Sequence, residues 1–496
     1  MSNARAPVIV GVGQINDRPA NAAEGLNSLE LMQQAAQRAD ADAGGGWLSQ
    51  LDSVATVAQL SFWELGDTSE KLSAALGVTP RFCTQSAYPS GATPILFLNE
   101  AANRIAAGEA EVALVAGAEA LRTAAARAAA KDAGARTDAV RAASERGRPS
   151  GRQRYGLAAP VDVYPLYENA TRAAWKQSLD EAQAESAALW SLMSNVAASN
   201  EHAWLRKPLS PADILTVSDS NRPIAFPYTK LMVANASVNQ GAAFIVTSAG
   251  AAHAAGIPAE RLIYVGYGAA ADEPGDILKR HRFDRSVSME VSLRRTLELN
   301  ELTASDLDCA ELYSCFPCVP KMARRVIGWP IVKPITVFGG LTFGGGPIGN
   351  YMSHAVASMA ERLRVGGQHG LLFANGGFAT QNHSIIVSRD PARAVSTPRG
   401  FDFQAEADAA RGAAPVLLDT YAGPAVIETY TVFYERDGAP RFGAIVARTP
   451  EGARFLAKVP REDEAMLRFL TDGDTEPVGA LGCAVAADDE VHWRAA

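Results

Sequence analysis

The chain has 496 residues, too long for a single core, so two to four domains are expected. A composition of 48% apolar and 20% charged residues fits a soluble globular protein, and no apolar run reaches the roughly 18–20 residues of a membrane-spanning helix. Forty-six Lys and Arg against 54 Asp and Glu leave a net charge of −8, which argues against general nucleic-acid binding. Five cysteines, an odd and low number, fit free thiols in a reducing compartment, and the cytoplasm is the expected location. The opening MSNARAPVIVGVG reads as a first strand rather than a signal peptide.

Residues 6–13 (APVIVGVG) are a near-continuous apolar run, the pattern of a strand buried on both faces in a parallel sheet. Residues 28–39 read as a helix with Ser28 as N-cap, and residues 51–59 and 81–87 as the second and third strands. Thr93 and Pro94 supply an N-cap and a first-turn proline. Behind them Ile95, Leu98, Ala102 and Ile105 form one helical stripe that ends at Gly108. Residues 111–117 (EVALVAG) are a fourth strand, and the alternation means a layered α/β sheet.

From residue 119 to about 230 that rhythm breaks, as an inserted helical lobe would break it. Between Arg122 and Arg154 nine basic residues (Arg122, Arg127, Lys131, Arg136, Arg141, Arg146, Arg148, Arg152, Arg154) stand against Asp132, Asp138 and Glu145. The stretch is either a solvated surface or a cationic rim for a ligand carrying phosphates.

The α/β pattern resumes at residues 241–248 and then starts again. Residues 262–268 (LIYVGYG) echo the first strand, and Met289, Leu293 and Leu297 mark the helix that follows. Leu307-Asp308 leads into CAELYSC as Leu51-Asp52 leads into SVATVAQ, an offset of 307 − 51 = 256. Residues 336–340 read as a third strand. Next comes FGGLTFGGGPIGNYMSH (338–354), with six glycines and a proline ahead of a helix carrying Met352, Ala355, Met359 and Leu363. Such a turn brings backbone close to a ligand beside a positive helix start. Residues 370–377 (GLLFANGG) repeat the EVALVAGA stretch, and residues 384–387 close the set. Two copies of one βαβα unit result: residues 1–261, including the insertion at 119–230, and residues 262–392. A linker then leads to a small β-rich tail, 398–496, with a hairpin signal at Asp437-Gly438 and the pattern of an OB-like barrel.

A duplicated five-strand α/β half with a helical insertion resembles the thiolase fold, five αβαβα layers. GEAEVALVAGAEA (108–120) is similar to the segment after the thiolase nucleophile helix, and NASVNQGAAFIV (235–246) resembles that family's fifth strand. The glycine loop matches GG-x4-GHP, with Gly345, Gly346 and Pro347 in the GHP places. NRPIAFPYTKLM, VDVYPLYENATRAA and the separate tail resemble the type-1 thiolase-like proteins, relatives of the sterol-carrier-protein thiolases with an added C-terminal domain. The resemblance implies a coenzyme A thioester as substrate, no tightly bound cofactor, no metal, and a monomer or homodimer.

The thiolase chemistry does not carry over intact. The C-x-S-G stretch is Tyr88-Pro89-Ser90-Gly91, so Tyr88 stands at the nucleophile position; the base histidine is Gly346, and the second cysteine falls at Ala374. The Asn or His opening the NEAF or HDCF motif falls at Tyr313. Thiolytic cleavage needs a thiolate acceptor, a base and an acid cysteine, so a standard thiolase is not expected. Tyr313 and Tyr351 are candidate acids or hydrogen-bond donors, in a placement resembling thiolase relatives that work by retro-aldol chemistry. His354, His383 and Asn350 are further candidates. Ser90 either acts as a nucleophile with a histidine or only shapes its turn. Backbone amides of Gly344, Gly345 and Gly346, with Asn375, are the candidate oxyanion site. Cys83 reads as core, and the lone Cys315-x-x-Cys318 pair does not suggest a metal site. The implied function is an acyl-CoA-utilising enzyme of the acyltransferase or carbon–carbon bond class. The alternatives are a retro-aldol lyase on a β-hydroxyacyl-CoA and a non-catalytic CoA or lipid binder.

Overall fold

Apolar runs become strands and striped segments become helices through the first half of the computed structural model, which describes residues 4–131, 151–487 and 489–495. The elements are β1 (Pro7–Asn16), α1 (Ser28–Asp42), β2 (Ser53–Thr56), α2 (Thr68–Leu76), β3 (Phe82–Gln85), α3 (Thr93–Ala107) and β4 (Val112–Ala120). After α4 (Leu121–Lys131) the insertion contributes α5 (Pro160–Ala174), α6 (Leu179–Ser199), α7 (Pro211–Leu215), β5 (Pro223–Ala225) and β6 (Tyr228–Thr229). Then β7 (Asn239–Ser248) returns to the sheet and α8 (Ala249–Ala254) ends the half. The strand order is β3-β2-β4-β7-β1. Only β2, β3 and β4 are mutually parallel; β7 runs antiparallel to both β4 and β1. β1 is therefore buried on both faces by covering helices, not because it lies in a parallel sheet.

Local capping departs from the simplest reading. Asn27, not Ser28, caps α1, in a reciprocal box with Glu30. Ala92 precedes α3 and has no capping side chain; Ser90 Oγ accepts the Ala92 N–H at 3.3 Å instead. Cys83 is exposed rather than core, because β3 is the sheet's edge.

The second half repeats the plan with β8 (Ile263–Asp272), α9 (Val287–Leu299), β9 (Cys309–Glu311), α10 (Cys318–Ile327), α11 (Tyr351–Val365), β10 (His369–Gly376) and β11 (Gln381–Ser388). Its order, β8-β11-β10-β9, matches β1-β7-β4-β2, with β9 parallel to β10 as β2 is to β4. The third strand expected at 336–340 does not form. The Thr336 hydroxyl accepts the N–H groups of Phe338, Gly339 and Gly340 at 3.2, 3.0 and 3.0 Å, and a π turn follows at Gly340–Gly344. Those amides are bonded to a side chain instead of a ladder. Ile335 keeps one strand-like contact, accepting the Leu312 N–H at 2.9 Å.

Helices α3 and α11 lie between the two sheets. Asn99 of α3 meets His383 of β11, while α11 meets the first sheet through Asn350 at Gly117 and His354 at Gln14. With α1 and α9 outside, the layers are αβαβα. The sheets join edge to edge where Val8 and Ile9 face Tyr264 and Ile263. The insertion is pinned to the second half by a buried ion pair, Lys321 to Glu168 at 2.6 Å, and Glu168 also accepts the Tyr228 hydroxyl at 2.9 Å.

The tail holds α12 (Gln404–Ala410), β12 (Gly423–Tyr434), β13 (Pro440–Arg448), β14 (Arg454–Val459), α13 (Glu464–Thr471), β15 (Leu481–Ala487) and β16 (Glu490–Ala495). The order β13-β14-β16-β15-β12 closes through β12–β13 pairing, with β14 parallel to β16. A closed five-strand barrel of this order, with a helix between its third and fourth strands, is OB-like. Ala225 of β5 pairs with Phe433 of β12, so the insertion extends the barrel's sheet. Among the described residues no helix is long and apolar enough to cross a membrane.

Candidate functional site

The glycine loop is anchored from behind by a residue the motif comparison passed over. Glu311, the last residue of β9, is 0% exposed. Its carboxyl accepts the Tyr351 hydroxyl at 2.9 Å, the Thr336 hydroxyl at 2.7 Å and the Val337 N–H at 3.1 Å. Burial pushes this carboxyl up to about 7, although the hydrogen bonds pull it down. The signal in the sequence was an acid inside an apolar strand (CAEL), a residue type that is rarely fully buried without a partner.

Tyr313 and Tyr351 come together. Their rings meet edge to face with centroids 5.8 Å apart. Tyr351 opens α11 and is 1% exposed; Tyr313 is 7% exposed and holds φ +48°, a left-handed conformation rare for a bulky residue. Burial raises both phenols, so both are neutral near pH 7. The Tyr313 hydroxyl lies against Gly91, where a Cβ would stand 1.9 Å from it and 2.3 Å from the Asn375 carbonyl oxygen. This is the turn that carries the nucleophile in the thiolase pattern.

In that turn Tyr88 is 57% exposed and its hydroxyl accepts from Gln381 Nε2 at 2.6 Å. Ser90 is buried and donates to Gln381 Oε1 at 2.6 Å. An amide, not a histidine, therefore holds Ser90. Gln381 links the two residues and was not singled out by the sequence.

The histidines make no hydrogen bond to either tyrosine, although Phe338 meets the rings of both His354 and Tyr351. His354 Nδ1 faces Gln14 Oε1 at 2.8 Å, its ring stacks on Phe338, and Nε2 has no partner. His383 Nε2 meets Asn99 Nδ2 at 3.0 Å. Desolvation pushes both imidazoles down to about 3, so they are neutral. Asn350 donates to the Gly117 carbonyl at 2.6 Å and leaves its Oδ1 buried and unpartnered. Asn375 accepts from the Tyr164 hydroxyl at 2.9 Å and donates to Asn382 at 3.0 Å.

Two of the three loop amides are already engaged. The Gly344 N–H donates to Gly339 O at 3.2 Å and the Gly346 N–H to Asn235 O at 2.8 Å. An oxyanion hole over Gly344, Gly345 and Gly346 is reduced to the middle amide, because the π turn and the 235–238 segment use the others.

Among the described residues the basic side chains of this stretch do not form one rim. Arg127 donates to Ala23 and Gly25 carbonyls, Arg152 to Leu157 O and Arg154 to Asp489 O. The Lys131 side chain and Arg136, Arg141, Arg146 and Arg148 lie outside the described residues. Arg122 instead joins Arg18 at Trp204, with the charge of Arg206 close enough to act on Arg18. Arg18 stacks on that ring at 4.0 Å, and the Arg122 guanidinium stands 6.0 Å from it. Burial, then the charges of Arg122 and Arg206, depress the Arg18 pKa. Trp204 N–H donates to Gly344 O at 2.9 Å, which sets this cationic cluster beside the glycine loop. A separate cavity of about 810 Å³ opens at the free edge of β9; Thr336, Val337, His202 and Glu361 line it, but neither tyrosine does. Among the described residues no group of His, Cys, Asp or Glu is placed to hold a metal ion.

A family model described as the thiolase-like protein type 1 additional C-terminal domain matches residues 402–490. No curated protein sequence matches the chain. Among solved structures, the chain is similar to a monomeric SCP2-thiolase-like protein type 1 from Mycobacterium smegmatis, at 30% identity, full coverage of both chains and a TM-score of 0.82. It is also similar to the Ltp2-ChsH2(DUF35) aldolase and to human mitochondrial 3-ketoacyl-CoA thiolase in complex with CoA. Each of these is 17% identical with a TM-score of 0.58, covering 78% of this chain and 99% of the other. The last two share the fold over part of this chain; the first matches over its whole length. A duplicated αβαβα core, an insertion woven into an added OB-like barrel, and full-length similarity at that identity make this chain a member of the SCP2-thiolase-like proteins of type 1.

Proposed function

We propose that the protein acts on a coenzyme A thioester and that its carbon–carbon bond chemistry runs through tyrosines rather than cysteine. The observation that carries this reading is the Tyr351–Glu311 hydrogen bond with Tyr313 packed edge-on beside it, at the strand end where the thiolase pattern puts its catalytic loop. A phenol backed by a carboxylate can pass a proton in either direction. This favours retro-aldol cleavage of a β-hydroxyacyl-CoA over acyl transfer, since Ser90 is bonded to an amide and has no base to activate it. The Arg18–Arg122–Arg206 cluster is the candidate for the CoA phosphates. The free state of all five cysteines fits the cytoplasm.

The test is product analysis and intact mass after incubation with a panel of β-hydroxyacyl-CoAs. Aldehyde or ketone plus a shortened acyl-CoA, with unmodified protein mass, is expected. In Tyr313→Phe turnover falls by about 100-fold or more while CoA affinity holds. A stable acyl adduct on the protein would refute the tyrosine route. Raising salt or replacing Arg18 and Arg206 with Gln weakens CoA binding; affinity unmoved by either removes the cluster from the binding site.

A second reading is a non-catalytic CoA binder. Burial of Tyr351 and Glu311 and the engagement of two loop amides favour it. Tight CoA binding without turnover of any thioester would select it.

A further inference from the structure

Glu311 raises a question that a structural role alone does not answer. The carboxyl faces three donors, Tyr351 Oη, Thr336 Oγ1 and the Val337 N–H, and no cation accompanies it among its partners. Tyr351 donates to Oε1, while Thr336 and the Val337 N–H donate to Oε2, so a glutamine that kept its oxygen on the Oε2 pair would turn its NH2 toward Tyr351 and could not take the phenol proton. A carboxyl at this position accepts at both oxygens and, unlike an amide, can also gain and lose a proton at the one facing Tyr351.

The 2.9 Å contact with Tyr351 has two arrangements. With Glu311 ionised, the phenol donates to Oε1. With Glu311 protonated, Oε1 donates and Tyr351 keeps a hydroxyl hydrogen free to turn toward Tyr313 and the Gly91 turn. Tyr351 thereby becomes base or acid without ever becoming a free phenolate.

We propose that Glu311 is the proton acceptor behind Tyr351, a positioning residue that takes the Tyr351 proton as Tyr351 takes the proton of the substrate hydroxyl. The inference rests on the retro-aldol reading above. In cleavage the substrate O–H bond breaks and its proton goes to Tyr351 Oη, whose own proton passes to Glu311 Oε1. The Cα–Cβ bond breaks, the carbonyl of the departing aldehyde or ketone forms, and the bonding pair moves onto the thioester enolate. Tyr313 protonates the enolate carbon and regains a proton from water. Glu311 returns its proton through Tyr351 to solvent once product leaves.

The titratable groups facing Glu311 are Tyr313, just beyond its own strand, and Tyr351 of α11, both neutral; the segment Thr336, Val337, Phe338 on its other side has none. Burial sets the carboxyl at about 7, so cleavage rises with pH through that value, where the ionised acceptor accumulates.

The test compares kcat and KM of wild type and Glu311→Gln across pH, with thermal melts to establish that the variant is folded. In Glu311→Gln kcat falls by about 100-fold, KM is held, and the limb near pH 7 disappears. A folded Glu311→Gln that keeps wild-type kcat and the same limb overturns the inference while leaving the retro-aldol reading standing. Absence of wild-type turnover overturns that reading. Infrared difference spectra then judge the proton site alone: a protonated-carboxyl band that titrates near pH 7 and vanishes in Glu311→Gln upholds it. A spectrum without such a band overturns it.

Discussion

Asn350 reaches across from the central helix to the Gly117 carbonyl, and it can do so only because residue 117 has no side chain. A Cβ there would lie 2.1 Å from Asn350 Oδ1 and 3.0 Å from the Val57 Cβ. Gly117→Ala must therefore push the start of α11, and Tyr351 with it, away from β4. A stability loss of about 1–3 kcal/mol is expected by denaturant unfolding, with turnover reduced more than CoA affinity. An unchanged midpoint would mean that α11 accommodates the methyl freely. At this scale the sequence was informative where a motif fixed the register. Aligning YSCF and the glycine loop was enough to bring Tyr313 and Tyr351 forward as a pair. Glu311 and Gln381 escaped because their importance lies in contacts across 40 and 291 residues of chain, which no local pattern encodes. The neutrality that burial imposes on His354 and His383 is likewise invisible in one dimension.

The glycine loop shows how one side chain can replace an element. Ile335, Thr336 and Val337 have strong strand propensity, and repetition with the first half predicted a strand there. Thr336 instead accepts three successive amides and donates to Glu311, the kind of side-chain-to-backbone bonding that competes with a ladder. Thr336→Val keeps the shape and removes all four bonds. It should cost about 2–4 kcal/mol, and hydrogen exchange at Phe338, Gly339 and Gly340 should accelerate. Retained protection at those amides would show that a ladder forms when the hydroxyl is gone. The other strands, the two central helices and the hairpin of the tail were legible, because each carries its own periodicity. The antiparallel course of β7 was not, since an apolar run has no direction.

Across the whole molecule, opposing buried groups set the pH response. Native His354 and His383 titrate near 3 rather than 6.5, so each binds fewer protons folded than unfolded and loses stability as pH falls below 6.5. Glu311 and Glu361 titrate near 7 and Glu119 near 6 instead of 4.5, so each gains stability as pH falls toward 4.5. The slopes, up to about 1.4 kcal/mol per pH unit per group, offset each other between 6.5 and 6, and the three carboxyls outweigh the two histidines from there to 4.5. Below 4.5 the histidines are joined by Glu185, whose carboxyl sits at about 2 beside Arg325. The melting temperature should stay nearly level from 6.5 to 6, rise modestly toward 4.5 as Glu119 joins, and drop steeply below. In Glu311→Gln with Glu361→Gln the decline should begin already at 6.5; a double variant with the wild-type profile would contradict the assignment.

The weave between insertion and barrel has a consequence for how the molecule is made. Asn169 of α5 donates to the Tyr430 carbonyl 261 residues later, Thr429 donates to Leu166 O, and Arg172 pairs with Glu476. A ribosome delivers the insertion long before β12 exists. During synthesis α5 must wait with those buried polar groups unmet, and the helical lobe cannot reach its final form until nearly the last strand has emerged. Assembly of this protein therefore finishes near the middle of its sequence, not at its end.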